Sequence, residues 1–242
     1  MKRFLLVICI ASLFSFVPQT DKQLQGAWSS IIDMDGKMVM QVLLFSDGYF
    51  SWTSYQAGSG VFIQTKGGSF TLDENNLSLQ YEFSTADSTQ VGTTESWRLG
   101  AKGPLLQLTN KAGTQFKGEA LDKGITTDLS GTWLMAGRKQ DDKITRRDTT
   151  TPRKTMKILT GNRFQWIAYN TETKQFSGTG GGTYTATDST YTEKIEFFSR
   201  DNKRVGMQLQ FKYEVQGNDW HHSGKSSAGE PMHEIWAKRE MK

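Results

Sequence analysis

An internal repeat constrains the fold of this chain more than any other feature. The segment Leu24-Gln25-Gly26-Ala27-Trp28 recurs as Leu129-Ser130-Gly131-Thr132-Trp133. Beyond it, residues match at a constant offset of 114: Phe50 with Phe164, Trp52 with Trp166, Gly68 with Gly182, Phe83 with Phe197, and Val91-Gly92 with Val205-Gly206. A constant register over several segments indicates duplication, and so two structural copies.

The repeat also predicts where the domains divide. We expect copy one to occupy residues 21–122 and copy two residues 126–242, with the boundary near residues 119–128. The opening motif is offset by only 105, so copy two carries nine extra residues within 138–154. This polar insertion is interpreted as a solvated surface loop, with a lid over an open barrel end as the alternative.

Both copies have the pattern of short β-strands. Polar and apolar residues alternate in LSLQYEF (77–83) and VGMQLQFKYEV (205–215), and Gly, Asn and Asp mark the turns between such runs. No amphipathic helix is indicated after the first 20 residues. We therefore predict an all-β protein made of two tandem small antiparallel barrels, each with about eight strands.

The first residues are typical of an export signal. Lys2 and Arg3 precede an apolar run from Phe4 to Val17 that is too short to span a membrane, so residues 1–20 are predicted to be a cleaved signal peptide. The mature chain is then secreted or periplasmic, without a membrane span. It has 27 basic and 25 acidic residues, which gives no indication of nucleic-acid binding. Cleavage also removes Cys9, the only cysteine, so no internal disulfide is possible.

The Gly-x-Trp motifs at residues 26–28 and 131–133 resemble the opening signature of lipocalin-like (calycin-type) barrels. The whole pattern is similar to that of the secreted lipocalin-like proteins of unknown function found in Bacteroidetes. The resemblance implies that a cation from the last strand covers each tryptophan. Arg239 is the expected partner of Trp133, and Lys117 that of Trp28.

The two copies differ at positions expected to face the barrel interior. In copy one the inward residues are predicted to be Phe50, Trp52, Leu77, Leu79, Tyr81 and Phe83. Copy two has Glu193 where copy one has Leu79, and His222 where it has Leu108. Trp220 matches Leu106, while Glu95 of copy one matches Leu209.

A buried polar group without a partner is costly and persists more readily where a ligand meets it. We therefore predict a ligand pocket in copy two, lined by Trp166, Glu193, Trp220 and His222. If Glu193 faces His222, the carboxylate favours the charged imidazole and makes binding depend on pH near neutrality. The alternative is that the two groups satisfy each other inside a filled core.

Residues 218–236 contain all three histidines of the chain and several partial motifs. Gly224-Lys225-Ser226 is not a phosphate loop, because Asp219 stands where a glycine is needed and no helix follows. His233-Glu234 is not a zincin motif, because Ala237 occupies the second histidine position. His221 and His222 face opposite sides of a strand. What remains is a divalent-metal site formed by His222, His233 and Glu193, against the stronger interpretation of hydrogen-bonded histidines in a hairpin.

Two further patterns favour structure over chemistry. GTGGG at 178–182 leads into a strand and is interpreted as a turn or barrel kink. No cysteine remains after cleavage and no Gly-x-Ser-x-Gly motif is present, so nucleophilic catalysis is not indicated.

Together these patterns predict a non-catalytic secreted or periplasmic protein, without a cofactor, that binds a small apolar or amphipathic molecule or another envelope component. Two alternatives stay open. One is a divalent-metal-dependent hydrolase centred on copy two, and the other is a structural or protein-binding module with filled barrels.

Overall fold

The computed structural model describes residues 22–100, 105–122 and 125–240. The predicted signal peptide, residues 1–20, lies outside this part of the chain. The described residues form 17 β-strands joined by turns, and their only helical elements are short 3-10 turns. No helix in these ranges has the length and apolar character needed to cross a membrane.

Copy one forms a closed antiparallel barrel in which each strand pairs with the next and β1 closes on β8. Its strands are β1 (Gly26–Met34), β2 (Lys37–Ser46), β3 (Tyr49–Gln56), β4 (Phe62–Asp73), β5 (Asn76–Ser84), β6 (Thr94–Leu99), β7 (Leu105–Asn110) and β8 (Gln115–Ala120).

Copy two forms a second antiparallel barrel, closed by pairing of β9 with β17. Its strands are β9 (Gly131–Gln140), β10 (Lys143–Arg146), β11 (Arg153–Leu159), β12 (Arg163–Asn170), β13 (Phe176–Thr187), β14 (Thr190–Phe198), β15 (Gln208–Gln216), β16 (Asp219–Lys225) and β17 (Pro231–Lys238). The prediction of two tandem antiparallel barrels is confirmed.

The insertion of copy two interrupts its second strand. In copy one, β2 pairs along the whole of β1. In copy two, β11 pairs with the first half of β9, while β10 folds back on its far end as a hairpin. Residues 147–152 loop out between these two strands. The insertion is therefore a hairpin and a loop at one end of the barrel.

The buried apolar residues form three clusters. One fills barrel one around Phe50, Leu79 and Trp97, and another lies inside barrel two around Tyr191, Trp220 and Trp236. The third lies between the barrels and takes residues from both, including Tyr55, Phe83, Tyr169 and Phe197. We call this third set the interface cluster. It gives the two barrels a shared apolar contact.

Phe83 does not point into barrel one as the alternation predicted. The pairing of β4 with β5 shifts register between Gly67 and Gly68, so that Glu82 is an extra residue and the next side chain changes face. The same shift occurs between Gly181 and Gly182 in copy two. A Cβ on Gly68 would lie 2.0 Å from the carbonyl oxygen of Gln80, so glycine is required at the bulge. Phe83 and Phe197 consequently leave their barrels and pack in the interface cluster.

Contacts in the interface cluster occur in exchanged pairs. Tyr55 stacks on Phe197 with ring centroids 5.0 Å apart, and Tyr169 packs on Phe83 at the same distance. The Tyr55 hydroxyl donates to Glu196, and the Tyr169 hydroxyl donates to Glu82. Tyr169, Phe197 and Glu196 are the repeat counterparts of Tyr55, Phe83 and Glu82. The barrels are thus related by a pseudo-two-fold axis through this contact.

The predicted cover of the Gly-x-Trp tryptophans is wrong in detail. Lys238, not Arg239, lies over Trp133, with its Nζ 4.9 Å from the ring centroid. Neighbouring residues of a strand face opposite sides, so a difference of one position sends Arg239 to the interface, where it binds Glu82 at 2.6 Å. Lys117 is exposed and makes no cation–π contact with Trp28, although both residues are described. Both tryptophan Nε1 groups instead donate to backbone carbonyls four residues upstream, each at 2.9 Å.

Candidate functional site

Barrel two contains a cavity of about 310 Å³ at the end that carries the β9–β10 hairpin. This volume is at the small end of the range for ligand pockets, about 300–1,000 Å³. The floor is made of buried side chains, chiefly Lys157, Glu193, Phe211, His222 and Trp236. The mouth is made of exposed or half-buried side chains, chiefly Arg138, Arg147, Trp166, Phe198 and Met232.

Three of the four predicted pocket residues line this cavity. Trp166 forms part of its wall, and Glu193 and His222 form part of its floor. Trp220 is not in the lining, because it is fully buried beneath the floor and packs against the His222 ring at 5.3 Å. The prediction of a pocket in copy two thus has a matching cavity, with Trp220 as a support rather than a wall.

Glu193 has a partner that the sequence did not indicate. Lys157 on β11 places its Nζ 2.7 Å from Glu193 Oε1, and both side chains are almost fully buried. The Tyr191 hydroxyl donates to the same oxygen at 2.8 Å. Burial, and then the charge of Glu193, raise the pKa of Tyr191 well above its usual value, so this hydroxyl stays a donor. A buried ion pair persists when further hydrogen bonds compensate the cost of removing both charges from water.

Aromatic rings surround the ammonium group of Lys157. Its Nζ lies within 6.0 Å of four ring centroids, those of Phe164, Tyr191, Trp220 and Trp236. The negative faces of aromatic rings attract a cation, and the attraction is stronger out of water. The repeat offered one signal for this residue: Lys157 corresponds to Leu43, and Glu193 corresponds to Leu79. Two charges of opposite sign thus replace two leucines in the same barrel.

His222 is buried without a hydrogen-bond partner for either ring nitrogen among the described residues. Its Nδ1 lies 3.7 Å from Oε2 of Glu234, too far for a hydrogen bond. Burial, and then the charge of Lys157, lower the pKa of His222. Glu193 does favour the charged imidazole, as expected, but burial and the charge of Lys157 outweigh it, so the net effect on the pKa of His222 is a decrease. At neutral pH His222 presents one donor and one acceptor at the cavity floor.

The hypothesis of a metal site formed by His222, His233 and Glu193 does not fit the geometry. His233 lies on the outer face of the barrel, where its Nε2 is 3.3 Å from Nδ1 of His221. His222 points to the opposite face, as the alternation along β16 predicted. Within residues 22–100, 105–122 and 125–240, no group of three or more candidate ligands is placed to hold a metal ion.

The side chains at the matched positions of the two copies differ around this cavity. In barrel one, Lys66 lies over the rings of Trp52 and Trp97, with its Nζ 5.0 and 5.9 Å from their centroids. The counterparts in barrel two are Gly180, Trp166 and Phe211. A lysine is thus replaced by a glycine, against which Trp166 and Phe198 pack, and an indole by a smaller phenyl ring. Glu95 of copy one corresponds to Leu209 of copy two. Its carboxylate accepts hydrogen bonds from the Tyr81 hydroxyl and the Asn110 side-chain amide.

The insertion of copy two borders the cavity mouth. Its hairpin is fixed to the barrel by Arg146, which makes two hydrogen bonds to Asp219 on β16, of 2.7 and 3.2 Å. Arg138 and Arg147 on either side of the hairpin contribute to the cavity lining. The insertion is therefore neither a free loop nor a closed lid, but part of the rim of the cavity.

The other partial motifs take structural roles. GTGGG lies within β13 and contains the bulge at Gly181 and Gly182, which confirms the barrel kink. Gly224 and Lys225 end strand β16, and a turn leads directly to β17. The segment has no helix whose N-terminus would bind a phosphate.

No curated protein matches this sequence significantly. Among solved structures, the crystal structure of the Cpx pathway activator NlpE from Escherichia coli covers 87% of this chain and 91% of its own, with 10% identity and a TM-score of 0.24. The model of a family described as a domain of unknown function (DUF4488) matches residues 128–242. The part of the chain that forms barrel two, with the cavity, is therefore similar to a domain family whose function has not been assigned.

Proposed function

We propose that this protein is a secreted or periplasmic, non-catalytic binding protein, and that its second barrel holds a small amphipathic molecule. The observation that carries the proposal is the cavity floor, where both nitrogens of buried His222 lack partners among the described residues, beside an apolar wall. A buried polar group without a partner costs about 1–3 kcal/mol, a cost that a ligand with a hydroxyl or carbonyl group would remove. The apolar run at residues 4–17 supports export.

The charged groups of the floor favour binding over chemistry. Glu193 is engaged by Lys157 and Tyr191, so neither carboxylate nor ammonium is free to act on a substrate. The neutral His222 has no carboxylate within hydrogen-bond distance to orient it as a base. The hydrolase alternative gains no support because His233 lies on the outer face.

The test uses the difference between the copies. Phe211→Trp introduces the residue that copy one has at the matched position and fills the cavity. The reciprocal Trp97→Phe changes barrel one and is the matched control. Binding of 1-octanol is measured by saturation-transfer NMR. We expect 1-octanol to bind the wild type and the control but not Phe211→Trp. Mass spectrometry of small molecules released from natively purified protein identifies the natural ligand.

Equal binding of 1-octanol by all three proteins would show that the cavity is not the binding site. Thermal unfolding of each variant separates a filled cavity from a misfolded barrel, because a filled cavity leaves the transition cooperative.

A further inference from the structure

The charged residues of the cavity lining do not balance. The lining contains three cations, Arg138, Arg147 and Lys157, and two carboxylates, Glu193 and Glu234. Lys157 is paired with Glu193 at 2.7 Å, and Arg138 lies 3.8 Å from Glu234. Both carboxylates are therefore engaged with other cations, and Arg147 forms no ion pair with any residue that the structure describes.

Arg147 is held in place but not saturated. Its Nε donates to the backbone carbonyl of Met135, which fixes the direction of the guanidinium group. The two terminal nitrogens have no hydrogen-bond or ion-pair partner in the part of the chain that the structure describes. Burial and then the cations Arg153 and Arg138 lower the pKa of Arg147, and together they outweigh the opposing effect of Glu234. A guanidinium fork with free donors in a positive environment matches a carboxylate or phosphate oxygen pair.

The surroundings of Arg147 indicate how a ligand would lie. Arg147 is solvent-accessible at the mouth, whereas His222 is buried at the floor. Between them the wall is apolar, with Trp166, Phe198 and Met232. A ligand that fits the mouth, the wall and the floor has an acidic group at the mouth and an apolar part along the wall. Its inner end can carry a polar atom that faces His222.

We propose that the cavity selects amphipathic anions, whose acidic group binds the terminal nitrogens of Arg147 while the apolar part enters the barrel. This inference rests on the proposed function and names its ligand class. Arg147 belongs to the insertion that is present in copy two and absent from copy one. The insertion therefore supplies both part of the cavity rim and the group that binds the anion. A cationic amphiphile finds no free carboxylate in the lining.

The experiment compares three probes with the same eight-carbon chain: octanoate, 1-octanol and octylammonium. Dissociation constants are measured at pH 7.5 by ligand-observed NMR. A charge-assisted bidentate contact is worth about tenfold to hundredfold in affinity, so octanoate is expected to bind more tightly than 1-octanol by about that factor. Octylammonium is expected to bind most weakly.

Variants assign the preference to Arg147. Arg147→Gln is expected to abolish the advantage of octanoate over 1-octanol while leaving 1-octanol binding within about twofold, because the apolar wall is unchanged. Arg147→Lys keeps the charge but not the fork and is expected to keep part of the advantage. Lys143→Gln, an exposed position of the same hairpin outside the lining, removes the same charge and is the matched control.

Three results would overturn the inference: equal affinity for octanoate and 1-octanol, tighter binding of octylammonium, or an octanoate preference that Lys143→Gln removes as fully as Arg147→Gln does. These three results can be distinguished from failure of the proposed function. In that case Phe211→Trp would not change the affinity for any of the three probes.

Discussion

Replacing His222 by leucine tests the energetics of the cavity floor most directly. The substitution removes a donor and an acceptor that both lack partners, for a gain of about 2–4 kcal/mol. It also removes the contact of the imidazole with Phe211, whose ring centroid is 4.0 Å away, at a cost of about 1 kcal/mol. Leucine already fills this position in barrel one as Leu108, which is fully buried. We therefore expect the free energy of unfolding to rise by about 1–3 kcal/mol, and the melting temperature by about 3–9 °C.

The same variant should flatten the pH dependence of stability. Because burial lowers the pKa of His222 in the folded protein, the unfolded chain takes up a proton at a higher pH than the folded chain does. The stability of the wild type therefore falls as the pH drops below about 6.5, the unfolded value, by up to about 1.4 kcal/mol per pH unit for this group. His222→Leu lacks this contribution, so the stability difference between the two proteins widens on acidification.

Urea unfolding at pH 7.5 and at pH 5.5, without ligand, measures both effects. His221→Leu on the outer face is the control and should change stability by less than about 0.5 kcal/mol at pH 7.5. A loss of 1 kcal/mol or more in His222→Leu at pH 7.5 would refute the reasoning, because it would mean that the imidazole nitrogens are satisfied in the folded protein. A stability difference that does not change between the two pH values would refute the proton linkage.

Three further predictions concern the ion pair, the interface and the covered tryptophan. Lys157→Leu should lower the free energy of unfolding in urea by about 3–5 kcal/mol, because it leaves Glu193 buried and unpaired. The double variant Lys157→Leu with Glu193→Leu has the residues found in copy one, Leu43 and Leu79, and should recover most of the loss. A double variant no more stable than the single one would contradict this. The separately expressed segments 21–122 and 126–242 should each fold and should associate when mixed, because the interface cluster is exposed in each; light scattering measures the complex, and failure of both halves to fold would make the domain limits wrong. Lys238→Met should cost about 0.5–2 kcal/mol, less than Arg239→Met. Each cation pairs with a carboxylate, but Glu82, the partner of Arg239, is more buried than Asp47, the partner of Lys238, so its unpaired charge costs more. The reverse order in thermal unfolding would contradict these roles.

The repeat made much of the fold predictable. Aromatic and glycine residues that match at one offset can be read directly from the sequence. They indicated two copies, the alternation along the strands, and the inward positions of Trp166, Glu193 and His222. Alternation failed where a strand is irregular: the bulge opposite Gly67 and Gly68 turned Phe83 out of its barrel. A bulge depends on how two strands pair, and a single strand does not carry that information.

The site was less predictable because its key contacts join distant strands. Lys157 and Glu193 are 36 residues apart and meet only when the barrel closes. The mouth arginines were hidden in a segment whose polarity indicated a solvated loop, and Arg239 was assigned one residue away from the lysine that covers Trp133. In each case the separation of the residues along the sequence was known. Their distance in space depended on how the barrel closes and on the register in which its strands pair.

The exchanged contacts of Tyr55 with Phe197 and of Tyr169 with Phe83 bear on the history of the chain. A surface that meets its own copy through a two-fold axis suits a homodimer of single barrels, and covalent linkage of such a dimer raises the effective concentration of the halves without altering the contact. Once linked, the halves are free of the requirement to be identical. Barrel one keeps leucines at positions 79 and 108, while barrel two carries a glutamate and a histidine at the matched positions, where they line a cavity. The fused pair thus holds two different barrel interiors on either side of one shared contact, which an identical dimer has no means to do.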